Sequence, residues 1–180
     1  TREVGQALDI GDEPYDGLLD EHEPGMRTAE LEPLLRQLRA TIDGILPDAD
    51  DPPTRSLAER QWPDGVQFSL ARQVAAMVGF QFDTGLVARS VHPFTTSPHI
   101  GDVRFTTRIT LDDPTSNVLV SLHEAGHALY AQGHPSAYAR TLAYASPSLG
   151  AEESQSRFYE NHVGRCAAFW HLLAPVMHER

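Results

Sequence analysis

Apolar positions recur along this chain with the spacing of helices far more often than with that of strands. Between Pro24-Gly25 and Leu46-Pro47, the residues Leu31, Leu34, Leu35, Leu38, Ile42 and Ile45 return at intervals that stack them on one side of a helix, with Thr28 as its cap. That helix reads as scaffold. A second is expected from about Val66 to Val78, with Phe68, Leu70, Ala71, Val74, Ala75 and Met77 on a broad core-facing side and Gly79 as its stop. Asp113 and Pro114 supply the cap and first turn of a third, about twenty residues long and ended by Gly133 and Pro135, whose buried stripe is Val118, Leu122, Ala125 and Leu129. A fourth is predicted from about 151 towards 174, capped by Ser148 or Gly150, with Phe158, Ala168, Leu172 and Leu173 on its apolar side and Pro175 disturbing its end. Alternation with period two is convincing only at Val103, Phe105 and Thr107, so residues 102–109 read as a strand, with Ser90 to Phe94 as its antiparallel partner across the turn-rich 97–101. Residues 48–55 are expected to be an exposed loop, since paired prolines and repelling aspartates cannot continue a helix. The pattern predicts one mainly α domain over 1–180 with a small antiparallel hairpin or sheet.

The third helix carries the chemistry. His123, Glu124 and His127 form an HExxH signature, and residues four apart on a helix lie one above the other, so both imidazoles reach one zinc ion while Glu124 stands beside it. Zinc lowers the pKa of water towards neutrality, and an adjacent carboxylate can take that proton and hand it to a leaving amine. The expected reaction is peptide hydrolysis. Two histidines leave zinc one protein ligand short. The extended motif HExxHxxGxxH needs Gly at 130 and His at 133, where this chain has Tyr130 and Gly133. Residues 128–150 contain no carboxylate, so the next candidates are Glu152 and Glu153, in the first turn of the fourth helix. Either could complete a His2Glu set, and either could serve only to complement the helix dipole.

Four motifs in order resemble the carboxypeptidase Taq family of metallocarboxypeptidases: His92-Pro93-Phe94, the DxRxT pattern Asp102 to Thr106, His123 to His127, and Glu153-Ser154-Gln155, which matches the end of the family's HESQ. Tyr15 to Asp20 adds to the likeness near the start. The resemblance implies a helical zincin-like metallopeptidase core, with Glu153 as third metal ligand, Glu124 as general base, and His92 and Arg104 touching substrate from a cleft wall. It further implies Zn2+ as cofactor, Co2+ also fitting these donors. Peptides with a free C-terminus are the implied substrates, and a homodimer the implied full-length assembly. In one departure, Glu152 stands where the pattern has His. In another, two later family motifs are missing, one bearing an arginine implicated in holding the substrate carboxylate. The chain, which opens with Thr1, thus reads as a segment of a larger fold. The alternative to an active carboxypeptidase is a zinc-binding fragment with little turnover. An endopeptidase with the same ligands is a third reading.

Composition narrows the remaining classes. All fourteen basic residues are Arg, which removes Schiff-base and P-loop lysine chemistry. A net charge of −11 argues against nucleic acid as a partner. No apolar run approaches the ~20 residues of a membrane span and no signal-peptide pattern opens the chain, so no membrane is expected and the cytoplasm is the expected compartment. The lone Cys166 lies among Ala167, Ala168 and Phe169, where a buried structural thiol is expected.

Overall fold

The computed structural model describes residues 1–48 and 61–179, which fall into two compact units: residues 1–48 with 147–150, and residues 61–146 with 151–179. Except for Asp48, at the end of a 3-10 turn (Leu46–Asp48), the loop expected at 48–55 lies outside the described residues.

The first unit contains α1 (Arg2–Leu8), α2 (Pro14–Asp20) and α3 (Thr28–Ile45). Its organising group is the Asp16 carboxylate. One oxygen accepts from the Thr28 hydroxyl at 2.6 Å and the Thr28 amide at 2.7 Å, and the other from the amides of Asp12 at 3.1 Å and Glu13 at 3.2 Å. Thr28 therefore gives its hydroxyl to Asp16, and the cap position of α3 falls to Arg27. The apolar stripe of α3 departs from the scaffold role expected of it, for Leu34, Leu35, Leu38, Ile42 and Ile45 are all exposed. Periodicity shows that one side of a helix is apolar and carries no information about what covers it.

The second unit contains α4 (Asp64–Met77), β1 (Gly85–Arg89), β2 (Thr95–His99), β3 (Asp102–Thr107), α5 (Pro114–Gln132), all but the first two residues of α6 (Leu149–Arg157), and α7 (Ala167–His178). The Asp113 carboxylate caps α5 by accepting from the Ser116 amide at 2.9 Å, and Gly79 follows α4 in the left-handed region at φ 99°. Val118 and Leu122 of α5 pack with Leu70 and Val74 of α4 and with Phe169, Leu173 and Met177 of α7. Ala125 and Ala128, a turn further on, pack with Val87, Val103 and Phe105 of the sheet. Thus α5 is gripped by helices along one flank and by strands along another.

The fold is mainly α with a small sheet, as expected, but the sheet is mixed and three-stranded in the order β1-β3-β2. β1, which lacks clear alternation, pairs parallel with β3. The antiparallel partner of β3 is Thr95–His99 rather than Ser90 to Phe94, so the strand takes in part of the expected turn. Pro93 cannot donate to a ladder, whereas Pro98 sits where the register of β2 shifts between Thr96 and His99 and no ladder donor is required.

The expected helix from 151 to 174 is likewise divided. After α6 the chain widens into a π-helical turn, Phe158–Val163, breaks at residues 164–166, and resumes as α7, which runs through Pro175. Phe158, Ala168 and Leu172 are exposed, while Leu173 is buried as expected and is joined by Phe169 and Met177. Cys166, expected to be buried, is exposed at the cap of α7. Among the described residues no helix is long and apolar enough to cross a membrane.

Two glycines allow the helices to touch. A Cβ on Gly126 of α5 would stand 2.7 Å from the Ser156 Cα and 2.9 Å from the Gln155 carbonyl oxygen of α6. A Cβ on Gly164 would meet Leu122 at 2.7 Å and the Glu160 carbonyl oxygen at 2.6 Å. Glycine inside a helix costs about 1 kcal/mol relative to alanine. Gly126→Ala should nevertheless lower the unfolding free energy by about 1–3 kcal/mol in urea titrations, because the clash with α6 backbone outweighs the gain in propensity. An unchanged or raised stability would contradict this packing.

The Asp16 carboxyl is held down from 3.8 to about 2, first by the Thr28 hydroxyl and then by the Thr28 amide, with burial opposing and the amides of Glu13 and Asp12 assisting. A carboxyl depressed in the folded state stabilises it above the unfolded pKa, and that contribution disappears as pH falls from about 4 through about 2. Thermal melts across this window should show Asp16→Asn losing that part of the pH dependence. A variant as acid-sensitive as the parent would refute the assignment.

Candidate metal centre

α5 sets His123 and His127 one turn apart with ring centroids 5.0 Å apart, and the close approach at Gly126 brings the first helical turns of α6 alongside. Glu153 is thereby placed with one carboxylate oxygen 3.3 Å from Nε2 of His127 and 3.8 Å from Nε2 of His123. One donor atom from each of the three residues lies within 4.8 Å of the others. Ligands about 2.1 Å from a tetrahedral zinc stand roughly 3.4 Å apart, so two imidazoles and a carboxylate at these separations fit a small divalent cation. Of the two glutamates the spacing left open, Glu153 joins the histidines, and Glu152 turns to the adjoining cavity.

His123, Glu153 and Glu124 are each braced from behind. Nδ1 of His123 lies 2.9 Å from the Glu160 carboxylate on the π-helical turn, and with its proton there Nε2 keeps a free lone pair on the side of the trio. The Arg157 guanidinium donates to Glu153 at 2.7 Å and to Glu160 at 3.2 Å, tying the two carboxylates together. The Ser156 hydroxyl adds a bond to Glu153 at 3.1 Å. Burial alone would push the Glu153 carboxyl up, but Arg157, the charge of His123 and Ser156 together hold it below its ordinary value. Glu124 is 6% exposed, and the Thr95 hydroxyl of β2 is 2.7 Å from its carboxylate and 3.0 Å from its carbonyl oxygen.

His123, Glu124, His127 and Thr95 line a cavity of about 630 Å3. His92 is among its lining residues. Arg104 is not: strand alternation turns Val103 and Phe105 towards α5 and leaves Arg104 exposed on the other side, its guanidinium paired with Asp102 at 2.6 and 2.7 Å. Thr106, also in the DxRxT segment, accepts from the Phe94 amide at 3.0 Å and meets the Ser90 hydroxyl at 2.6 Å, so it pins the stretch that carries His92. Glu160 and Thr95 were not anticipated from sequence. The stripe of Glu153, Arg157 and Glu160 at helical spacing is the signal that points to Glu160. For Thr95, the only signal is its place directly after His92-Pro93-Phe94.

A family model described as carboxypeptidase Taq (M32) metallopeptidase matches residues 1–180. Thermostable carboxypeptidase 1 of Thermus thermophilus is 39% identical over 176 residues, covering 94% of this chain and 34% of that protein. Carboxypeptidase 1 of Bacillus subtilis is 36% identical over 160 residues, covering 87% of this chain and 32% of its own length. The crystal structure of the M32 carboxypeptidase from Deinococcus radiodurans R1 superimposes with a TM-score of 0.91 at 31% identity, over 98% of this chain and 36% of that one. The chain spans about a third of the length of the curated relatives it matches.

Removing the brace behind His123 should loosen metal binding without unfolding the site. Glu160→Gln is expected to weaken zinc or cobalt affinity by roughly 10- to 100-fold in chelator competition. Affinity equal to the parent's would show that Glu160 does not orient the ring.

Proposed function

The chain belongs to the carboxypeptidase Taq (M32) metallopeptidase family, and from that premise we propose that it forms the catalytic core of a carboxypeptidase acting on peptides with a free C-terminus. His123, His127 and Glu153 hold the metal, which is zinc, with cobalt as an acceptable substitute. The observation that carries this reading is the meeting of those three donors beside a buried Glu124, with His123, Glu124 and His127 lining one cavity.

When bound, zinc supplies Lewis-acid polarisation of the scissile carbonyl and a lowered pKa for water. Glu124 takes the proton of the attacking water and delivers it to the amine nitrogen as the C–N bond breaks. The Thr95 hydroxyl fixes one oxygen of that carboxylate and leaves the other for proton transfer. The imidazole of His92 and the phenols of Tyr130 and Tyr144 line the same space and can donate to a developing oxyanion. The full-length protein is proposed to be a cytoplasmic homodimer that does not bind nucleic acid, in keeping with the net charge of −11 on this chain.

One observation favours a second reading, metal binding without turnover. Among the described residues no arginine lines the larger cavity, and Arg157, in a smaller adjoining cleft, is already paired with Glu153 and Glu160. A bidentate partner for the substrate carboxylate is thus not supplied by these residues.

The two readings separate on activity. Zinc-loaded protein should release the last residue from a peptide with a free C-terminus and leave its amidated counterpart intact. Glu124→Gln should slow release by about 10²- to 10⁴-fold while retaining the metal. If the wild-type chain with stoichiometric zinc releases nothing, binding without turnover stands. Cleavage of the amidated peptide would mark an endopeptidase.

A further inference from the structure

Among the described residues, every carboxylate around the metal centre has a partner except one. Glu124 is held by Thr95, Glu153 by Arg157 and Ser156, and Glu160 by His123 and Arg157. Glu152 makes no hydrogen bond or ion pair among the described residues, yet it is half-buried and lines the cavity. Opposite charge is also missing there among the described residues, since no arginine contributes to the lining and the chain has no lysine. A carboxylate in a partly desolvated wall favours a positively charged neighbour more strongly than it would in open water.

The same wall is aromatic. His134 stands with its ring centroid 4.8 Å from that of Tyr130 and 5.0 Å from that of Tyr144, and all three line the cavity. Its Nδ1 is buried without a partner among the described residues. Aromatic faces attract cations, and a guanidinium can stack on a ring while pairing with a carboxylate through its planar fork.

From this combination we infer that the cavity is a subsite for a basic side chain next to the scissile bond, with Glu152 as its counter-charge and the Tyr130, His134 and Tyr144 rings as its walls. The inference rests on the peptidase reading for its substrate class. It makes Glu152 a specificity residue, with no part in proton transfer.

The test is an equilibrium measurement, so that it does not depend on turnover. The complete natural polypeptide, zinc-loaded and carrying Glu124→Gln, is titrated calorimetrically with peptides bearing arginine at the last or the penultimate position. Each is compared with the same peptide carrying the neutral isostere citrulline. Arginine is expected to bind about tenfold more tightly at one of the two positions, the scale of a charge-assisted contact in a partly shielded site. Adding Glu152→Gln should bring that ratio to about one, and Glu152→Asp should restore most of it. A purely structural role at the start of α6 would alter stability but leave the ratio untouched. Equal binding of arginine and citrulline at both positions overturns the inference, as does a preference that survives Glu152→Gln. Failure of the peptidase reading would instead appear as no release of any residue, neutral or basic, by the protein with Glu124 intact.

Discussion

The contact of α6 with α5 at Gly126 is the constraint on which the site depends. Without a Cβ there, the backbone of Gln155 and Ser156 settles directly against the histidine helix, and Glu153 comes within 3.3 Å of His127. The HExxH motif alone provides two ligands and a base. The third donor comes from a helix that begins more than twenty residues later in the chain. Gly164 repeats the device further on, letting the end of the π-helical turn close over Leu122. Gly126 sacrifices helix propensity for proximity, and packing is the larger of the two effects.

Around that contact the protein spreads the task of orienting a few atoms over elements of different kinds. The sheet supplies Thr95, which grips Glu124 through both its carboxylate and its main chain. The π-helical turn supplies Glu160 to His123, and Arg157 links that carboxylate to Glu153. A widened turn next to a functional group is a recurrent use of π geometry, since the extra residue redirects a side chain that a regular helix would carry elsewhere. The polar chain Gln67, Asn117, Thr107 and Ser121, buried where α4, β3 and α5 meet, sets the helix against the strand.

Family membership accounts for the catalytic motif, and the departures show where this chain is individual. Glu152, which stands where the resemblance implies a histidine, has no partner among the described residues and lines an aromatic wall, adding negative charge to a site that already holds Glu124 and Glu153. The Tyr15 to Asp20 segment, in contrast, belongs to scaffolding: Asp16 gathers four donors and joins α2 to the start of α3.

Short-range order was legible in the sequence. The extents of α4 and α5, the Asp113 cap and the histidine pair follow from periodicity and capping, because each depends on residues within a few positions of one another. Errors arose where a feature depended on distant partners. Strand β1 has no telling alternation, and only pairing with β3 makes it a strand. Arg104 was expected in the cleft, but the direction of the pleat is set by which residues of β3 meet α5. The helix after Glu153 seemed continuous because nothing local announces a π turn. The sequence by itself determined which chemistry was possible, through the types and spacing of His123, Glu124 and His127. Tertiary structure brings Glu153, the glutamate that the resemblance implied, to the histidines, and it alone decided which hydroxyl holds the base and which carboxylate faces the cavity, because those are distances between segments that are remote along the chain.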